Sequence, residues 1–235
     1  MLCILAVSSE YLKQQVMKPR EFKTAIYNEM SQMTKALGNP HRLEILDLLA
    51  QGAASVAYIS KNTTLTVANA SQHLQVLRNA KLVVTERKGK YIYYRLTSQQ
   101  VFNAWCALRK LGFSNNAEIT RLLDDYRGKN EAFEIITAQE LLKKMKRDDV
   151  VVLDVRPEEE YKRGHIEQAL SFPQKNMHER MQELSRDKEI VAYCRGPLCL
   201  MADEAVDYLN KNGFKAKRLE HGFPEWENEG LPIEQ

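Results

Sequence analysis

Ile190-Val-Ala-Tyr-Cys-Arg-Gly-Pro-Leu-Cys199 runs from an apolar, strand-like segment into a short Gly/Pro loop that carries two thiols. The amphipathic residues 200–209 follow at once and are typical of a helix. A thiol between a strand and a helix faces converging backbone N–H groups and the positive end of the helix. We therefore predict that this loop lowers the pKa of Cys194 and stabilises an anion on its sulfur.

Helices and strands alternate around this loop. Thr137-Ala-Gln-Glu140 is a capping box that opens a helix, and Val150-Val-Val-Leu-Asp154 is a continuous apolar run typical of a buried parallel strand. Further strand-like runs at 169–172, 190–193 and 216–219 are separated by helical stretches. This alternation predicts an α/β domain with a parallel sheet.

Size and charge indicate a second domain with a different partner. The chain has 235 residues, 44% hydrophobic and 28% charged, which suffices for two domains that each bury a core. Residues 1–125 carry 16 Lys and Arg against 9 Asp and Glu, whereas residues 126–235 carry 18 against 22. A polyanion would therefore bind the N-terminal half.

Cysteine usage and the N-terminus favour a reducing compartment. The chain has four cysteines, and none of their spacings forms a C-x-x-C pattern. This favours reactive thiols in a reducing cytosol over a disulfide scaffold. Residues 1–7 are apolar but too short for a membrane span, and they lack the basic region of a secretory signal. We expect a cytoplasmic protein without a membrane partner, whose true start could lie at Met17.

The N-terminal half has the pattern of a helix-turn-helix followed by a hairpin. Apolar residues at steps of three and four mark the helices, and β-prone runs flank a basic, Gly-bearing turn at 86–90. The predicted helices are 22–37, one beginning after Pro40, 56–61, 67–79 and 99–112, and the predicted strands are 82–85 and 91–96. The helices at 56–61 and 67–79 form the helix-turn-helix. The apolar first and last helices predict pairing of two subunits.

Side chains suited to DNA contact lie on the helix at 67–79 and on the hairpin. A recognition helix needs short polar side chains that reach base edges and basic neighbours that hold phosphates. The polar set is Asn69, Ser71, Gln72, His73 and Gln75, and the basic set is Arg78, Arg87, Lys88 and Lys90. The alternative is a solvated helix face beside an ordinary basic turn. We predict that double-stranded DNA binds here.

Three separated blocks of this half resemble the ArsR/SmtB family of winged-helix repressors. They are Ala36-Leu-Gly-Asn-Pro-His-Arg-Leu-Glu-Ile-Leu46, Ser71-Gln-His-Leu-Gln-Val-Leu-Arg78 and Arg87-Lys-Gly-Lys-Tyr-Ile-Tyr-Tyr-Arg-Leu96. The resemblance covers residues 20–112. It implies a recognition helix at 67–79, a hairpin wing and a homodimer formed through the first and last helices.

The inducer sites of that family are not matched. Many members bind a metal through Cys-x-Cys in the helix written here as Ala53-Ala-Ser-Val-Ala-Tyr58, or through Asp and His on the last helix; this sequence has neither set. We predict no metal site and no cofactor. Thiol sensors of the family pair a cysteine on the last helix with one on the second helix, which is lacking here. We interpret Cys106 as a buried apolar residue and keep a sensor thiol as the alternative, with Cys3 as its partner only if the N-terminal tail folds back.

The C-terminal half resembles the rhodanese family. Leu153-Asp-Val-Arg156 with Glu159-Glu-Tyr-Lys-Arg-Gly-His-Ile166 resembles its front signature, and Gly222-Phe-Pro-Glu-Trp226 with Gly230-Leu-Pro232 its closing signature. They bracket Cys194 where that family keeps its catalytic cysteine, and the resemblance spans residues 131–234. It implies that Cys194 takes a sulfane sulfur from a donor such as thiosulfate, as a persulfide, and passes it to a thiol or other nucleophilic acceptor.

The resemblance also suggests roles within the loop. The backbone of residues 195–199 would stabilise the sulfur anion, and the charge of Arg195 would attract an anionic donor. A Cys-x5-Arg phosphate cradle would need arginine where Leu200 stands, so phosphoryl transfer is disfavoured. Cys199 either resolves the persulfide as a disulfide, carries sulfur itself, or has no role. The predicted catalytic loop is Cys194, Arg195, Gly196, Pro197, Leu198 and Cys199.

Asp154 and Arg156, just after the strand at 150–154, are predicted to form an ion pair that shapes the domain. His165 and His221 are interpreted as structural hydrogen-bonding residues.

We thus predict a mainly α winged helix-turn-helix domain over 20–114, a linker over 115–130 and an α/β rhodanese domain over 131–235. The leading hypothesis is a dimeric DNA-binding regulator in which a Cys194 persulfide, or a Cys194–Cys199 disulfide, alters dimer geometry and half-site spacing. A second hypothesis is an independent sulfurtransferase activity. A third is a catalytically silent rhodanese fold that senses a ligand or protein.

Overall fold

Local capping signals position the helices of the N-terminal region. The structure, a computed structural model, describes residues 17–127 and 134–235. The N-terminal helices are α1 (Pro19–Leu37), α2 (Pro40–Leu49), α3 (Val56–Lys61), α4 (Val67–Asn79) and α5 (Gln99–Asn115). The side chains of Asn39, Ser55 and Thr66 accept backbone N–H bonds at the starts of α2, α3 and α4. Such caps satisfy N–H groups that have no partner within the helix.

A three-stranded sheet completes this region. The hairpin strands β2 (Val83–Lys88) and β3 (Tyr91–Leu96) pair antiparallel, and the two-residue β1 (Ala54–Ser55) pairs with β3 on its other side. The first hairpin strand continues three residues beyond the predicted end at residue 85, because Glu86, Arg87 and Lys88 all pair across to β3. The basic wing is therefore mostly strand, with only Gly89 and Lys90 in the turn.

A helix occupies most of the segment between the two regions. α6 (Ala117–Arg127) lies within the predicted linker at 115–130, so this part of the linker is helical. Of the predicted linker at 115–130, residues 128–130 lie outside the described ranges, as do Cys3 and the apolar residues 1–7. None of the helices in the described part of the chain is both long and apolar enough to cross a membrane.

The C-terminal region contains the predicted parallel sheet. Its strands are β4 (Ile135–Ile136), β5 (Val150–Asp154), β7 (Leu170–Ser171), β8 (Glu189–Tyr193) and β9 (Ala216–Leu219), in the order β4-β9-β8-β5-β7, all parallel. The helices are α7 (Ala138–Met145), α8 (Glu158–Tyr161), α9 (Met177–Arg180), α10 (Met201–Lys211) and α11 (Phe223–Asn228), with 3-10 turns at Gln174–Asn176 and Met181–Glu183. A separate antiparallel pair joins β6 (His165–Ile166) to β10 (Ile233–Glu234).

The loop with the two thiols directly follows the central strand of the sheet. β8 lies between β5 and β9, with Asp154 in register with Tyr193. The faces of the sheet are covered by two apolar clusters, one around α10 and one around α7 and α11. Cys194 therefore leaves the carboxyl edge of a strand that is buried on both faces, which is where open parallel sheets place their ligand sites.

Candidate functional site

The loop after β8 bends tightly around Cys194. The Cys194 thiol donates to the carbonyl of Cys199, with Sγ and O 3.4 Å apart. Gly196 has φ of +151°, which side-chain-bearing residues rarely adopt. A Cβ on Gly222 would lie 2.4 Å from the carbonyl carbon of Arg195 and from the nitrogen of Gly196. Both glycines are thus required by the loop itself.

The two thiols of the loop differ in exposure and acidity. Cys194 is only 2% exposed, and burial raises its pKa well above the ordinary value. Cys199 is half-buried, and its pKa is lowered to about 7 by the hydrogen bond from Cys194 and by bonds from the backbone of Arg195 and Met201. The predicted lowering of the pKa of Cys194 is wrong in this arrangement, since desolvation exceeds the backbone bonds. Both thiols are free, without a disulfide.

Arg195 is held by partners from both regions. Its Nε lies 3.0 Å from Oε1 of Glu160, and its Nη2 donates to Oδ1 of Asn62 at 2.8 Å. Glu160, on α8, is completely buried and also accepts from the hydroxyl of Tyr58, on α3. Burial and the adjacent carboxylate raise the pKa of Tyr58. We name Tyr58, Asn62, Glu160 and Arg195 the interdomain clasp. The attraction of an anionic donor by Arg195 stays a prediction, and the ion pair with Glu160 reduces the charge that the guanidinium can offer to such a donor.

A second contact joins the loop backbone to the N-terminal region. Gln51, only 4% exposed, donates to the carbonyl of Arg195 at 2.8 Å and accepts from Nη1 of Arg156 at 3.3 Å. Arg156 also forms a fully buried ion pair with Asp154, with Nη2 and Oδ2 2.6 Å apart. The hydroxyl of Tyr193 donates to the same carboxylate. The Asp154–Arg156 pair thus stabilises the end of β8 through Tyr193, and its arginine contacts Gln51 of the N-terminal region.

The last helix of the N-terminal region before α6, α5, is joined to the C-terminal region through Arg109. Arg109 pairs with Asp47 of α2 at 3.4 Å and with Glu225 of α11, which accepts from the backbone N–H of Gly222. Cys106 is half-buried beside Arg109, and burial raises its pKa to about 11. Cys106 therefore lies at the domain interface as a protonated thiol.

A cleft of 420 Å³ opens between the two regions. Leu43, Leu48 and Trp105 line one side, and Arg195, Leu198 and Cys199 line the other. Cys199 is the loop cysteine that lines this cleft, whereas Cys194 lies in the apolar core of the sheet. Within the described ranges, no three metal-ligating side chains form a group that could hold an ion.

The predicted DNA contacts are exposed, with one exception. The exposed residues are Asn69, Ser71, Gln72, Gln75, Arg78, Arg87, Lys88 and Lys90. His73 is half-buried beside His41, with ring centroids 5.5 Å apart, and burial lowers its pKa. His73 thus packs toward α2 and is less available to a base than its neighbours.

Sequence reasoning missed the residues that join the regions. Gln51 and Arg195 are 144 residues apart in the chain, and Tyr58 and Glu160 are 102 apart. No local pattern marks such pairs. Glu160 is the third residue of a run of three glutamates, which resembles an ordinary solvated helix start.

Comparisons with known proteins match both regions. The family model of bacterial regulatory proteins of the arsR family matches residues 39–85, and that of the rhodanese-like domain matches residues 137–229. The HTH-type transcriptional regulator Rv0324 of Mycobacterium tuberculosis is 38% identical over 213 residues, which cover 91% of this chain and 93% of that protein. A sulfurtransferase of Allochromatium vinosum is 33% identical over 87 residues, covering 37% of this chain and 79% of that protein.

A solved structure is also similar to the N-terminal region. The homodimeric winged helix-turn-helix DNA-binding domain of a possible ArsR-family regulator from Mycobacterium bovis is 34% identical, with a TM-score of 0.39, and covers 40% of this chain and 87% of that one.

Proposed function

Since this chain belongs to the ArsR-type transcriptional regulators that carry a C-terminal rhodanese domain, we propose that it is a sulfur-responsive DNA-binding protein of the cytoplasm. Its N-terminal domain binds operator DNA as a homodimer. Its rhodanese domain carries sulfane sulfur as a persulfide on Cys194, and the sulfur state of the loop alters DNA binding.

Exposed apolar side chains support the dimer. α1 buries only Ala36 within the single chain. Phe22, Ile26 and Met30 recur at steps of four along α1 and are about half exposed, at 58%, 46% and 56%. Leu111, on α5, is also exposed. Such a row on a surface helix is typical of a subunit interface, since burial in a second copy removes it from water.

The interdomain clasp is the observation that carries the proposed coupling. Arg195 follows Cys194 directly, and its side chain is held by Asn62, in the turn between the two helices of the helix-turn-helix. Cys194 is 2% exposed and packs within an apolar core, where an added sulfur atom would crowd its neighbours. Persulfidation must therefore displace the loop, and Arg195 passes that displacement to Tyr58 and Asn62.

The proposed chemistry needs no cofactor. The Cys194 thiolate attacks the outer sulfur of a sulfane-sulfur donor, the S–S bond breaks, and the rest of the donor leaves with the electron pair of that bond, as sulfite would leave from thiosulfate. The product is a Cys194 perthiolate. If Cys199 then attacks the inner sulfur of the protonated persulfide, a Cys194–Cys199 disulfide forms and hydrogen sulfide leaves, so no external oxidant is required.

Operator binding before and after sulfur loading tests the coupling. An operator selected from random duplex DNA is titrated with the full-length protein, untreated or treated with thiosulfate or polysulfide, and fluorescence anisotropy reports the affinity. We expect loading to change the affinity by at least about fivefold, the lower end of common allosteric couplings. Cys194→Ser should remove the response, and Cys106→Ser should leave it. An unchanged wild-type affinity, despite a mass gain of one sulfur atom, would refute the coupling.

Burial of Cys194 also favours one rival function, a rhodanese fold that is catalytically silent and senses a ligand or protein. Intact mass of the treated protein separates the two, because a silent fold gains no sulfur. If Cys194→Ser abolishes sulfur transfer but leaves induction intact in cells, sulfur transfer is an independent activity of the chain.

A further inference from the structure

Of the two thiols of the loop, the less buried is that of Cys199. It lines the interdomain cleft, whereas Cys194 lies in the apolar core formed by β5, β8 and α10. A donor molecule in the cleft therefore meets Cys199 first. The pKa of Cys199, about 7, places a large thiolate fraction at that position near neutral pH.

The walls of the cleft select the donor. Leu43, Leu48 and Trp105 from the DNA-binding domain present apolar surface opposite the apolar Leu198 of the loop. The charged residues in the lining are Glu44, Asp47 and Arg195, and the charge of Arg195 is already matched by Glu160. Asp47 is likewise paired, with Arg109. A dianion such as thiosulfate would therefore enter a largely apolar space that offers it no unpaired cation among these lining residues and that lies beside Glu44, which disfavours it.

Resting on the proposed function, we infer that the interdomain cleft is a binding site for organic hydropersulfides with an uncharged, apolar carbon group, and that Cys199 is the thiol that first receives their sulfur. The DNA-binding domain thus supplies half of the donor site. The apolar group lies against Leu43, Leu48 and Trp105, and the terminal sulfur faces Cys199.

Sulfur passes from the donor to Cys199 and then to Cys194 in two steps. The Cys199 thiolate attacks the terminal sulfur of R–S–SH, the S–S bond breaks, and R–S⁻ leaves with the bonding pair, which gives Cys199–S–SH. The Cys194 thiol then loses its proton and attacks that outer sulfur. Cys194–S–SH forms, and Cys199 leaves as a thiolate that takes up the proton. Neither step consumes an oxidant or a reductant.

Two donors with the same reactive group test the site. The full-length protein is exposed to benzyl hydropersulfide or to glutathione hydropersulfide, whose carbon group is charged, and peptide mass mapping follows sulfur on each cysteine over time. We expect benzyl hydropersulfide to load about tenfold faster, the gain expected from burying one ring against apolar side chains. Equal rates, or faster loading by thiosulfate, would overturn the assignment.

Leu198→Asn removes apolar surface from the cleft at a residue that is already 42% exposed. The benzyl preference should fall by about threefold, in line with the smaller apolar area. The matched control is Leu170→Asn, at an exposed leucine of β7 that does not line the cleft, and it should keep the full preference. If both variants behave alike, the cleft does not select the donor.

Cysteine variants test the role of Cys199 as the first acceptor of sulfur, here called its entry role, separately from the proposed function. Cys194→Ser should still gain sulfur on Cys199, and Cys199→Ser should load Cys194 at least about tenfold more slowly, because the reactive thiolate is lost. If Cys199→Ser loads Cys194 at the wild-type rate, the entry role fails while the Cys194 persulfide stands. If neither cysteine ever gains sulfur in the wild-type protein, both proposals fail.

Discussion

Glu160→Gln tests whether the DNA-binding domain and the sulfur loop form one unit. The fully buried carboxylate accepts from Nε and Nη2 of Arg195 and from the hydroxyl of Tyr58. Glutamine keeps the shape but removes the charge that balances a guanidinium whose side chain is 16% exposed. Removing one partner of a buried pair costs about 3–5 kcal/mol. Since the amide oxygen still accepts one bond and Asn62 still accepts from Arg195, we expect a loss of about 2–4 kcal/mol in the free energy of unfolding.

Urea unfolding followed by tryptophan fluorescence measures this loss. The chain has one tryptophan in each domain, Trp105 and Trp226, so the signal reports on both. Glu183→Gln is the matched control, because Glu183 pairs with Arg180 at the surface, where its side chain is 56% exposed. Its unfolding midpoint should not move measurably, since water already solvates both charges. The reasoning is refuted if the two variants unfold at the same midpoint, or if Glu160→Gln keeps the wild-type response of DNA binding to sulfur.

Three further outcomes are expected. Gly222→Ala places a Cβ 2.4 Å from the loop backbone, so it should cost about 1–3 kcal/mol in urea unfolding and block sulfur loading. Gly38→Ala, whose Cβ would lie 3.7 Å from its nearest neighbour, should do neither; equal effects would contradict the steric argument. Alkylation of Cys199 by iodoacetamide should rise with pH to half its maximum at about pH 7, since the thiolate reacts. Cys194 should react only at higher pH, and equal pH profiles by peptide mapping would speak against the difference in burial. Met30→Glu should lower dimer affinity by at least about tenfold in sedimentation experiments, because it buries a charge in the apolar interface, and an unchanged dimer would place the interface elsewhere.

Much of the fold follows from local patterns. The predicted bounds of α3 and α4, and the strand at 150–154, agree with the structure residue for residue, and the capping box at Thr137 is present. These elements are marked by caps, turns and periodic apolar residues that act within a few positions of the chain. The wing strand was predicted too short because its charged residues, which are depleted in strands in general, pair across the hairpin and remain solvated.

The acidity of Cys194 and the partner of Arg195 could not be predicted from local sequence patterns. The strand, loop and helix around Cys194 were predicted correctly, yet the direction of its pKa shift was wrong. Backbone dipoles are a local feature and are visible in the sequence, whereas desolvation depends on every element packed around the sulfur. The same holds for Arg195, whose charge is visible in the sequence but whose partner, Glu160, is not.

The sequence by itself determined that a winged helix-turn-helix domain precedes a rhodanese domain, and that two thiols lie in a loop between a strand and a helix. Periodicity, capping and short motifs carry that information, because they act between near neighbours in the chain. Only the tertiary structure decided which thiol is buried, which faces the cleft, and that Gln51, Tyr58 and Asn62 of the DNA-binding domain hold the loop. Those contacts join residues more than a hundred positions apart, so packing decides them.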